Sequence, residues 1–489
     1  MRGAWLTAAT IAVVSLSACQ WLVPIDDKFD PGGGGAASSS GRGGAGGSAP
    51  AGSGGTSQTT TSATSGGDGG HEVPGCLVVC KGQCANTLED ANNCGLCGHV
   101  CNDAPCDGGI CGRSLFRGHG SEAPSATRPG GELFTWGADA ELQAGNGMLA
   151  SYVFSPVHAT RFSSQVRYPA STGGATCALL ATGLVQCLGD NGRAEIGNGD
   201  LGGPDACNDP GNKGCVGTPF ELPLADIAEV TGAGNWKGGD HVCARTTSGA
   251  VVCWGQWGAD QGVWTSPTTI NLVGAVQLAA GAGFTCALRS DQTVWCWGGN
   301  WGKSFQEGAP DDLTPVQVPG LSGVTLIGGG VMHACAKAPD GIYCWGSNRS
   351  GQLGVGSSAT FVAAPSRVVE TPGLTDADVL QIEGGTDTTC ALVASGDVYC
   401  WGLNGGDGMC ADGQTDGAEC PQGGTGCILA PRKSLVTHAV EIAYGDYFGL
   451  ARLADGSIVS WGSNVSGALG IGDATVSDTT PTPASVAFP

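Results

Sequence analysis

Charged residues are scarce in this chain, and basic residues are the scarcer kind. Only 13% of the 489 residues are charged, and 21 Lys and Arg stand against 43 Asp and Glu, which gives a formal net charge of −22. No cluster of Lys or Arg occurs anywhere. Proteins that bind nucleic acid need a basic surface to displace counterions from phosphates. The composition therefore predicts no nucleic-acid partner.

Catalytic motifs are also lacking. The sequence has no Gly-x-x-x-x-Gly-Lys-Ser/Thr phosphate loop, and no Gly-x-Ser-x-Gly lies between a strand and a helix with a matching His. We therefore expect a protein that is not an enzyme and has no cofactor and no bound metal. What is abundant is glycine, with 88 residues, and each glycine disfavours a helical position by about 1 kcal/mol.

The N-terminus has the pattern of an export signal. Arg2 precedes a mostly apolar run, Leu6 to Leu16, which is too short to span a membrane. The sequence Leu-Ser-Ala-Cys that ends at Cys19 resembles a bacterial lipobox, which implies a signal peptide over 1–18 and a lipid on Cys19. The next residue, Gln20, implies the outer membrane of a Gram-negative bacterium. The alternative is an ordinary signal peptide with a cysteine near the cut.

Two segments without a large apolar core follow. Residues 19–72 are mostly Gly, Ser, Thr and Ala and are predicted to form a disordered tether. Residues 73–112 form a small Cys-rich module in which four disulfides of open connectivity replace a core. Metal or redox chemistry at Cys94 and Cys97 is the alternative. The cysteines of this module are Cys76, Cys80, Cys84, Cys94, Cys97, Cys101, Cys106 and Cys111.

Residues 113–489 are repetitive. Each copy reads as an apolar strand, a tight turn, a second strand ending in Trp-Gly, and a polar loop. The seven Trp-Gly positions recur at intervals of 43 to 66 residues, a spacing typical of propeller blades. The Trp residues at these positions are Trp136, Trp254, Trp297, Trp345, Trp401 and Trp461, and Leu188 takes the second position.

Cysteines mark both strands of five copies. One lies on each arm of the predicted hairpin, where directly opposed side chains come within disulfide range. In the last copy Leu450 and Ser460 replace both partners together, as expected of a bonded pair. The predicted pairs are Cys177 with Cys187, Cys243 with Cys253, Cys286 with Cys296, Cys335 with Cys344, and Cys390 with Cys400.

The segment Gly330 to Gly356 resembles the regulator of chromosome condensation repeat. It combines Gly-x-x-His-x-Cys-Ala with Asp-Gly-x-Tyr-Cys-Trp-Gly-Ser-Asn-x-x-Gly-Gln-Leu-Gly-x-Gly. The resemblance extends over residues 113–489 and implies an all-β fold, a β-propeller of typically seven blades, with six as the alternative. The founding eukaryotic member is an exchange factor that binds a small GTPase and chromatin. Because this chain has an export signal, is acidic and has no match to the exchange-factor wedge, we expect no small GTPase partner.

Two further expectations concern packing. The C-terminal stretch from Thr480 to Pro489 is expected to supply a strand to the blade of Trp136 and so to close the ring. His241 and His333 share a motif position with Phe284 and Phe448, so we expect packing roles for these histidines.

Two insertions depart from the repeat, at Asn198 to Cys215 and at Gly405 to Cys427. Both follow the Trp-Gly strand, so they should lie on one face of the propeller. We expect disulfides Cys207–Cys215 and Cys420–Cys427 to hold them and the loops to rim a partner-binding face, although surface loops tolerate insertions without a function. Cys410 is left unpaired, and calcium at Asp407, Asp412 and Asp416 stays open.

The sequence thus predicts an exported, membrane-anchored module that binds an unknown protein at the cell surface, with contact to the membrane through its lipid only. The alternative is a module that binds carbohydrate or cell wall. Tryptophans outside the Trp-Gly position would form its platform. These candidates are Trp236, Trp257, Trp264 and Trp301, with Trp295 beside them.

Overall fold

The computed structural model describes the region from Ser114 to Pro489 and four short strands before it. The gaps lie at residues 117, 121, 149, 164, 208–213, 235–238, 258–261, 300–311, 375–377 and 473–478. The chain divides into two units, 1–66 and 67–489, and every described residue belongs to the second. The predicted signal peptide and tether, and most of the Cys-rich module, lie outside the described residues. No helix in the described part is long and apolar enough to span a membrane.

Seven antiparallel sheets form the blades of a propeller, which confirms the predicted fold and selects seven blades over six. We label the strands of each blade A to D in chain order. Strands A of neighbouring blades approach each other and therefore line the centre of the ring. The Trp-Gly dipeptide lies on strand C of each blade that has one.

The strand bounds are as follows. Before the propeller lie β1 (Val78–Cys80), β2 (Gln83–Ala85), β3 (Cys106–Asp107) and β4 (Ile110–Cys111). Blade 1 has β6 (Ser125–Thr127), β7 (Leu133–Ala138) and β8 (Tyr152–His158), and β5 (Gly118–His119) precedes them. Blade 2 has β9 (Val166–Ser171), β10 (Ala175–Leu180), β11 (Val185–Asp190) and β12 (Cys215–Glu221). Blade 3 has β13 (Ile227–Ala233), β14 (His241–Thr246), β15 (Val251–Gln256) and β16 (Val263–Ile270).

The remaining blades follow the same order. Blade 4 has β17 (Ala275–Gly281), β18 (Phe284–Arg289), β19 (Val294–Gly298) and β20 (Asp312–Gln317). Blade 5 has β21 (Leu326–Gly330), β22 (His333–Ala338), β23 (Gly341–Ser347) and β24 (Phe361–Arg367). Blade 6 has β25 (Val379–Gly384), β26 (Thr388–Val393), β27 (Val398–Leu403), β28 (Ala418–Glu419) and β29 (Thr425–Lys433). Blade 7 has β30 (Ala439–Tyr444), β31 (Phe448–Leu453), β32 (Ile458–Gly462), a 3-10 turn at Val465–Gly467 and β33 (Thr480–Ser485).

Antiparallel pairing gives the ring two distinct faces. The A–B and C–D connections emerge at one end of every blade, which we call the loop face. The B–C turns and the links from strand D to the next strand A emerge at the other end, which we call the turn face. Both predicted insertions are C–D connections and therefore lie on the loop face.

The glycine after Trp bends strand C away from strand D. At Gly255 and Gly402 the backbone φ is +100° and +105°, values that an L side chain rarely adopts. A Cβ at Gly255 would also lie 2.5 Å from the carbonyl oxygen of Asp240. The ladder between strands C and D shifts register at this position in blade after blade, which is the signature of a β-bulge. The repeated glycine is thus a requirement of the bulge and the close approach.

The cysteine pairs lie directly opposite each other on strands B and C. Their Cα atoms are 4.0 to 4.1 Å apart, and each pair is a disulfide. In blade 7 the same cross-strand position pairs Leu450 with Ser460. The bonded residues are Cys177 with Cys187, Cys243 with Cys253, Cys286 with Cys296, Cys335 with Cys344, and Cys390 with Cys400.

A buried Gln or Glu on strand A joins many blades to the next. The amide of Gln381 exchanges two hydrogen bonds with the backbone of Ile442 in the following blade, at 2.7 and 2.9 Å. Gln277 makes the same pair of bonds with Ile327. Because an amide carries both a donor and an acceptor, it satisfies both backbone groups of its partner at once.

The ring closes in the same way, and the expectation for the C-terminal tail is wrong. Strand β33 pairs with β32 and completes its own blade 7. The fourth strand of blade 1 comes instead from residues 114–116, through a bridge between Leu115 and Ala126. Glu441 on β30 accepts hydrogen bonds from the backbone N–H groups of Ser114 and Leu115, at 2.9 to 3.1 Å. Each blade is therefore built from consecutive residues.

A short excursion of blade 1 crosses the centre of the ring. Strand β5 leaves blade 1 and pairs in parallel with the A strand of blade 3, at Gly232 and Ala233. At Gly118 a Cβ would lie 2.2 Å from the carbonyl oxygen of Ser171, so only glycine fits. His119 beside it is buried. The centre of the ring is thus occupied by the protein's own backbone at this level.

Candidate interaction face

The two inserted loops share one architecture. In blade 2, Cys207 is bonded to Cys215, and Asp205 makes two backbone hydrogen bonds with Cys215. In blade 6, Cys420 is bonded to Cys427, and strand β28 folds back on β29. Each loop therefore turns back onto the first residues of strand D. The disulfide and the added backbone bonds fix two ordered projections on the loop face.

Carboxylates surround the centre of this same face. Asp240, Asp387 and Asp446 lie in the A–B connections of blades 3, 6 and 7. Burial, together with the negative charges of Glu122, Asp240 and Asp387, raises the pKa of Asp446 to about 7. Thr386 opposes this shift by donating a hydrogen bond to Asp446 at 3.0 Å. These acids thus act on one another across the centre of the ring.

The loops of blades 5 and 2 place different side chains beside these acids. In the Gly-Gln-Leu-Gly loop of blade 5, the Gln352 amide donates to Asp387 at 2.9 Å. The corresponding loop of blade 2 has Glu195 in place of the glutamine, facing Asp240. Burial raises the pKa of Glu195 well above its usual value, and burial raises that of Asp240 to about 6 although Arg193 pairs with it. This junction between blades 2 and 3 therefore holds two crowded carboxyl groups.

The same loops accept hydrogen bonds from the tryptophans of the next blade. The indole Nε1 of Trp254 donates to the carbonyl oxygen of Glu195 at 2.8 Å, and that of Trp401 donates to Gln352 at 2.8 Å. The six Trp residues of the Trp-Gly positions are all fully buried. They hold one blade to the next, and a ligand cannot reach them.

His241 and His333 lie between blades. Each is buried and has its Nε2 within 2.7 Å of a threonine hydroxyl in the next blade, Thr285 and Thr389 respectively. Burial lowers the pKa of His241 to about 4 and that of His333 to about 3, so both are neutral near pH 7. The packing role predicted for them agrees with this placement.

The tryptophan platform expected for a carbohydrate is not assembled. Trp257 is fully buried and stacks on His241 with ring centroids 4.0 Å apart, so its assignment as a binding residue is wrong. Trp264 is half-buried with its edge towards Trp257. Trp295 is half-buried on strand C of blade 4, and its Nε1 donates to Thr293. Trp236 and Trp301 lie outside the described residues.

Cys410 occupies a leucine position. Its backbone N–H donates to Asn404 at 2.8 Å, just as that of Leu353 donates to Asn348. The thiol is free and fully buried, and burial raises its pKa. We therefore assign this residue to the core, and it explains the odd cysteine in the insertion.

Of the three acids near Cys410, Asp412 has partners within blade 6. The Asp412 carboxylate accepts from Asn404 at 3.1 Å and pairs with Arg432 at 2.6 Å. Within the described residues, no group of three or more His, Cys, Asp or Glu side chains is arranged to hold a metal ion.

Models of the regulator of chromosome condensation (RCC1) repeat match residues 275–300, 340–392, 379–408 and 439–468. The matched residues lie in blades 4 to 7, and these matches support membership of the propeller in the regulator of chromosome condensation repeat family. Such propellers typically serve as protein-interaction modules. The repeat-bearing relatives include the E3 ubiquitin-protein ligase HERC2 of Homo sapiens, 26% identical over 312 residues, which cover 60% of this chain and 6% of HERC2. The ultraviolet-B receptor UVR8 of Arabidopsis thaliana is 27% identical over 62% of this chain and 66% of its own.

Solved structures show the same fold. Yeast RCC1 (Prp20) bound to Kap60 superposes with a TM-score of 0.63 at 22% identity, covering 76% of this chain and 85% of that one. Prp20p from Saccharomyces cerevisiae, studied for its binding to Gsp1p and histones, gives 0.62 at 21% identity, covering 78% and 87%. Structures of the founding type of repeat propeller are thus among the similar ones. Our exclusion of a small GTPase from the possible partners is therefore wrong.

Proposed function

We propose that this propeller is exported, is anchored to the bacterial envelope through Cys19, and binds a partner protein with its loop face. The observation that carries the proposal is the meeting of two features on that face. Two disulfide-held loops project from it, and buried carboxylates crowd its centre. Preformed loops lose little conformational entropy on binding. An ordered rim around a charged centre suits a protein partner.

The charge of the face indicates the chemistry of the partner. Asp446 and Glu122 repel each other, and Tyr447 between the central acids is 40% exposed. A lysine or arginine placed there would relieve the repulsion and would hydrogen-bond to the carboxylates. Complementary charge also speeds association and makes it sensitive to salt. We therefore propose a partner that presents a basic segment.

The alternative of a carbohydrate partner has less support. A sugar platform needs exposed aromatic faces. Trp257 is fully buried, and the ring of Trp264 packs against it in a T-shaped contact. The protein-binding proposal rests on none of these tryptophans.

The partner surface is tested with two variants of equal charge. The first, Glu122→Gln with Asp446→Asn, neutralises the loop face. The second, Asp291→Asn with Asp340→Asn, neutralises two B–C turns on the turn face. Each biotinylated chain is incubated with an envelope fraction, and bound proteins are quantified at low and high salt. Gsp1p and histones, the proteins that bind Prp20p, serve as purified probes.

We expect the loop-face variant to lose binding that the turn-face variant keeps, and the binding of the unaltered chain to fall with salt. Equal binding by both variants, or equal loss in both, would contradict the proposal. The anchor is tested separately, by labelling with radioactive palmitate in a Gram-negative host. Cys19→Ser should abolish the label and release the protein from the membrane fraction.

A further inference from the structure

The junction between blades 2 and 3 holds a buried carboxylate oxygen that lacks a donor. Glu195 is fully buried, and its Oε1 has no hydrogen-bond partner among the described residues. Its other carboxylate oxygen, Oε2, accepts from the backbone N–H of Arg193 at 2.8 Å. An ionised oxygen that has lost its hydration without gaining a donor costs free energy. The carboxyl group of Glu195 therefore needs a further partner at Oε1.

The junction between blades 5 and 6 shows what this position requires. Gln352 takes the place of Glu195, and its Oε1 accepts from the backbone N–H of Ser350 at 2.8 Å. Its amide nitrogen, Nε2, donates to Asp387 at 2.9 Å. The equivalent of Asp387 in blade 3 is Asp240, because each comes directly before strand B. The position thus calls for a donor towards the next blade, and a carboxyl group donates only when it is protonated.

The charges around Glu195 are mostly negative. Asp190 at the end of strand β11 and Asp240 in the A–B connection of blade 3 both disfavour its ionised form. Arg193 is the cation of this group, and it pairs with Asp240, which is itself fully buried. Glu141 in the C–D loop of blade 1 also approaches Asp190. A proton on Glu195 would reduce the negative charge and would supply the missing donor.

The loop that carries Glu195 also carries the disulfide-held projection of blade 2. Asn191, at the start of this loop, donates from its side-chain amide to the carbonyl oxygens of Asp200 and Gly202, at 3.1 and 2.8 Å. Its side-chain oxygen accepts from the backbone N–H of Ile196, the neighbour of Glu195, at 3.1 Å. A displacement at residue 195 therefore reaches the base of the projection through Asn191.

We propose that Glu195 and Asp240 share one proton, and that this proton acts as a pH-sensitive latch on the projecting loop of blade 2. With the proton bound, the Glu195 carboxyl group donates to Asp240, as the glutamine amide does in blade 5. When the proton leaves, two carboxylates face each other beside the single Arg193. The loop then loosens from blade 3.

The latch should hold at low pH and loosen as the pH rises. Burial raises the pKa of Asp240 to about 6 and that of Glu195 well above its usual value of 4.5. The stabilisation is therefore fully present below pH 4.5 and is lost as the pH rises through the raised pKa of the pair. An effect of this latch on a bound partner rests on the proposed function, whereas the latch itself does not.

The shared proton is tested by ¹³C NMR of the full chain, labelled at the side-chain carboxyl carbon of glutamate. Glu195→Gln removes one resonance and so assigns it. We expect this resonance to titrate at a higher pH than those of the exposed glutamates, whose pKa values stay close to the ordinary one. Titration of Glu195 together with the exposed glutamates would overturn the proposal.

The loosening is tested by hydrogen–deuterium exchange of residues 196–205. The unaltered chain and Glu195→Gln are compared at the same pH, so that the intrinsic pH dependence of exchange cancels. We expect these residues to exchange several-fold faster in the unaltered chain at about pH 8, and equally in both chains at about pH 4. The matched control is residues 353–360 in the corresponding loop of blade 5, which should exchange equally in both chains.

Equal exchange of residues 196–205 in both chains at either pH would overturn the latch. Gln352→Glu adds a test in the opposite direction, because it should give residues 353–360 the same response to pH that residues 196–205 show in the unaltered chain. No response in that variant would also contradict the proposal. Neither measurement involves a partner, so a failure of the proposed function would leave these results unchanged.

Discussion

The indole nitrogen of Trp136 in the first blade donates a hydrogen bond to the carbonyl oxygen of Ala468 in the last blade, at 2.9 Å. Trp254 makes the same bond to Glu195 inside the ring, at 2.8 Å. The junction that closes the ring therefore uses the contact that joins other neighbouring blades. No strand is shared between the two ends of the ring, and a backbone hydrogen bond from Gly472 to Phe154 at 3.0 Å adds to the side-chain contacts that join them.

Trp136→Phe and Trp254→Phe should destabilise the propeller by similar amounts. Each change removes one indole donor, leaves a buried carbonyl oxygen without its partner and opens a small void, which together cost about 2 to 4 kcal/mol. The free energy of unfolding in urea is the measurement. A Trp136→Phe effect close to zero beside a large Trp254→Phe effect would mean that blades 7 and 1 are not held by this bond.

Glu195→Gln should stabilise the protein at neutral pH. The folded state holds Glu195 with a raised pKa, so the stabilising protonated form is fully present below its ordinary pKa near 4.5 and is lost as the pH rises. The amide keeps the donor at every pH, as Gln352 does beside Asp387. We expect the variant to gain about 1 to 2 kcal/mol at pH 8. The gain should shrink towards pH 4.

The reciprocal change is the control for Glu195. Gln352→Glu creates the same crowded pair beside Asp387, whose pKa is already raised by burial. This variant should lose stability at pH 8 and recover part of it at lower pH. Thermal melts over pH 4 to 8 would measure both changes. Parallel pH curves for the wild type and Glu195→Gln would refute the assignment.

Removal of one cross-strand disulfide should destabilise the propeller without abolishing folding. Cys335→Leu with Cys344→Ser gives blade 5 the residues that blade 7 has at Leu450 and Ser460. Closing a short loop of this kind contributes about 2 to 3 kcal/mol. We expect a lower melting temperature than that of the wild type. Because blade 5 then has no disulfide to reduce, reductant should lower the melting temperature of this variant by less. Failure to fold would show that the natural substitution in blade 7 depends on other residues.

Cys410 should be unreactive in the native protein. Burial keeps its thiol protonated, and only the thiolate is an effective nucleophile. Labelling with iodoacetamide should therefore occur only after unfolding, and Cys410→Leu should fold with a stability within about 1 kcal/mol of the wild type. Rapid labelling under native conditions would place the thiol at the surface instead.

Much of the fold follows from short-range signals. The Trp-Gly positions and the paired cysteines predicted the hairpins because both are local features with a fixed cross-strand geometry. The end of the chain was misassigned for a physical reason. Its Thr-Pro stretch resembles the outer strand that follows each Trp-Gly loop, and such a strand belongs to its own blade. The missing strand of blade 1 was residues 114–116, which are too few to show a β pattern.

Less of the candidate face could be predicted from the sequence. The insertions were visible as departures from the repeat, but the link made by Glu441 and Gln381 was missed. The sequence does contain a pattern that predicts this link between blades. A Gln or Glu between apolar residues recurs before the first cysteine position, as in Val276-Gln277-Leu278 and Leu380-Gln381-Ile382. The burial of Trp257 had no such signal, because its contact with His241 depends on the bulge after Trp254.

The strand at Ser114 also determines how the molecule bears a mechanical load. A pull on the chain ahead of Ser114 reaches the propeller at a segment that is bonded sideways to Ala126 of the first blade and to Glu441 of the last. Tension is therefore divided between the two blades on either side of the closing junction. Under force, the ring should yield first at that junction, and the five blades between them should stay folded until it opens.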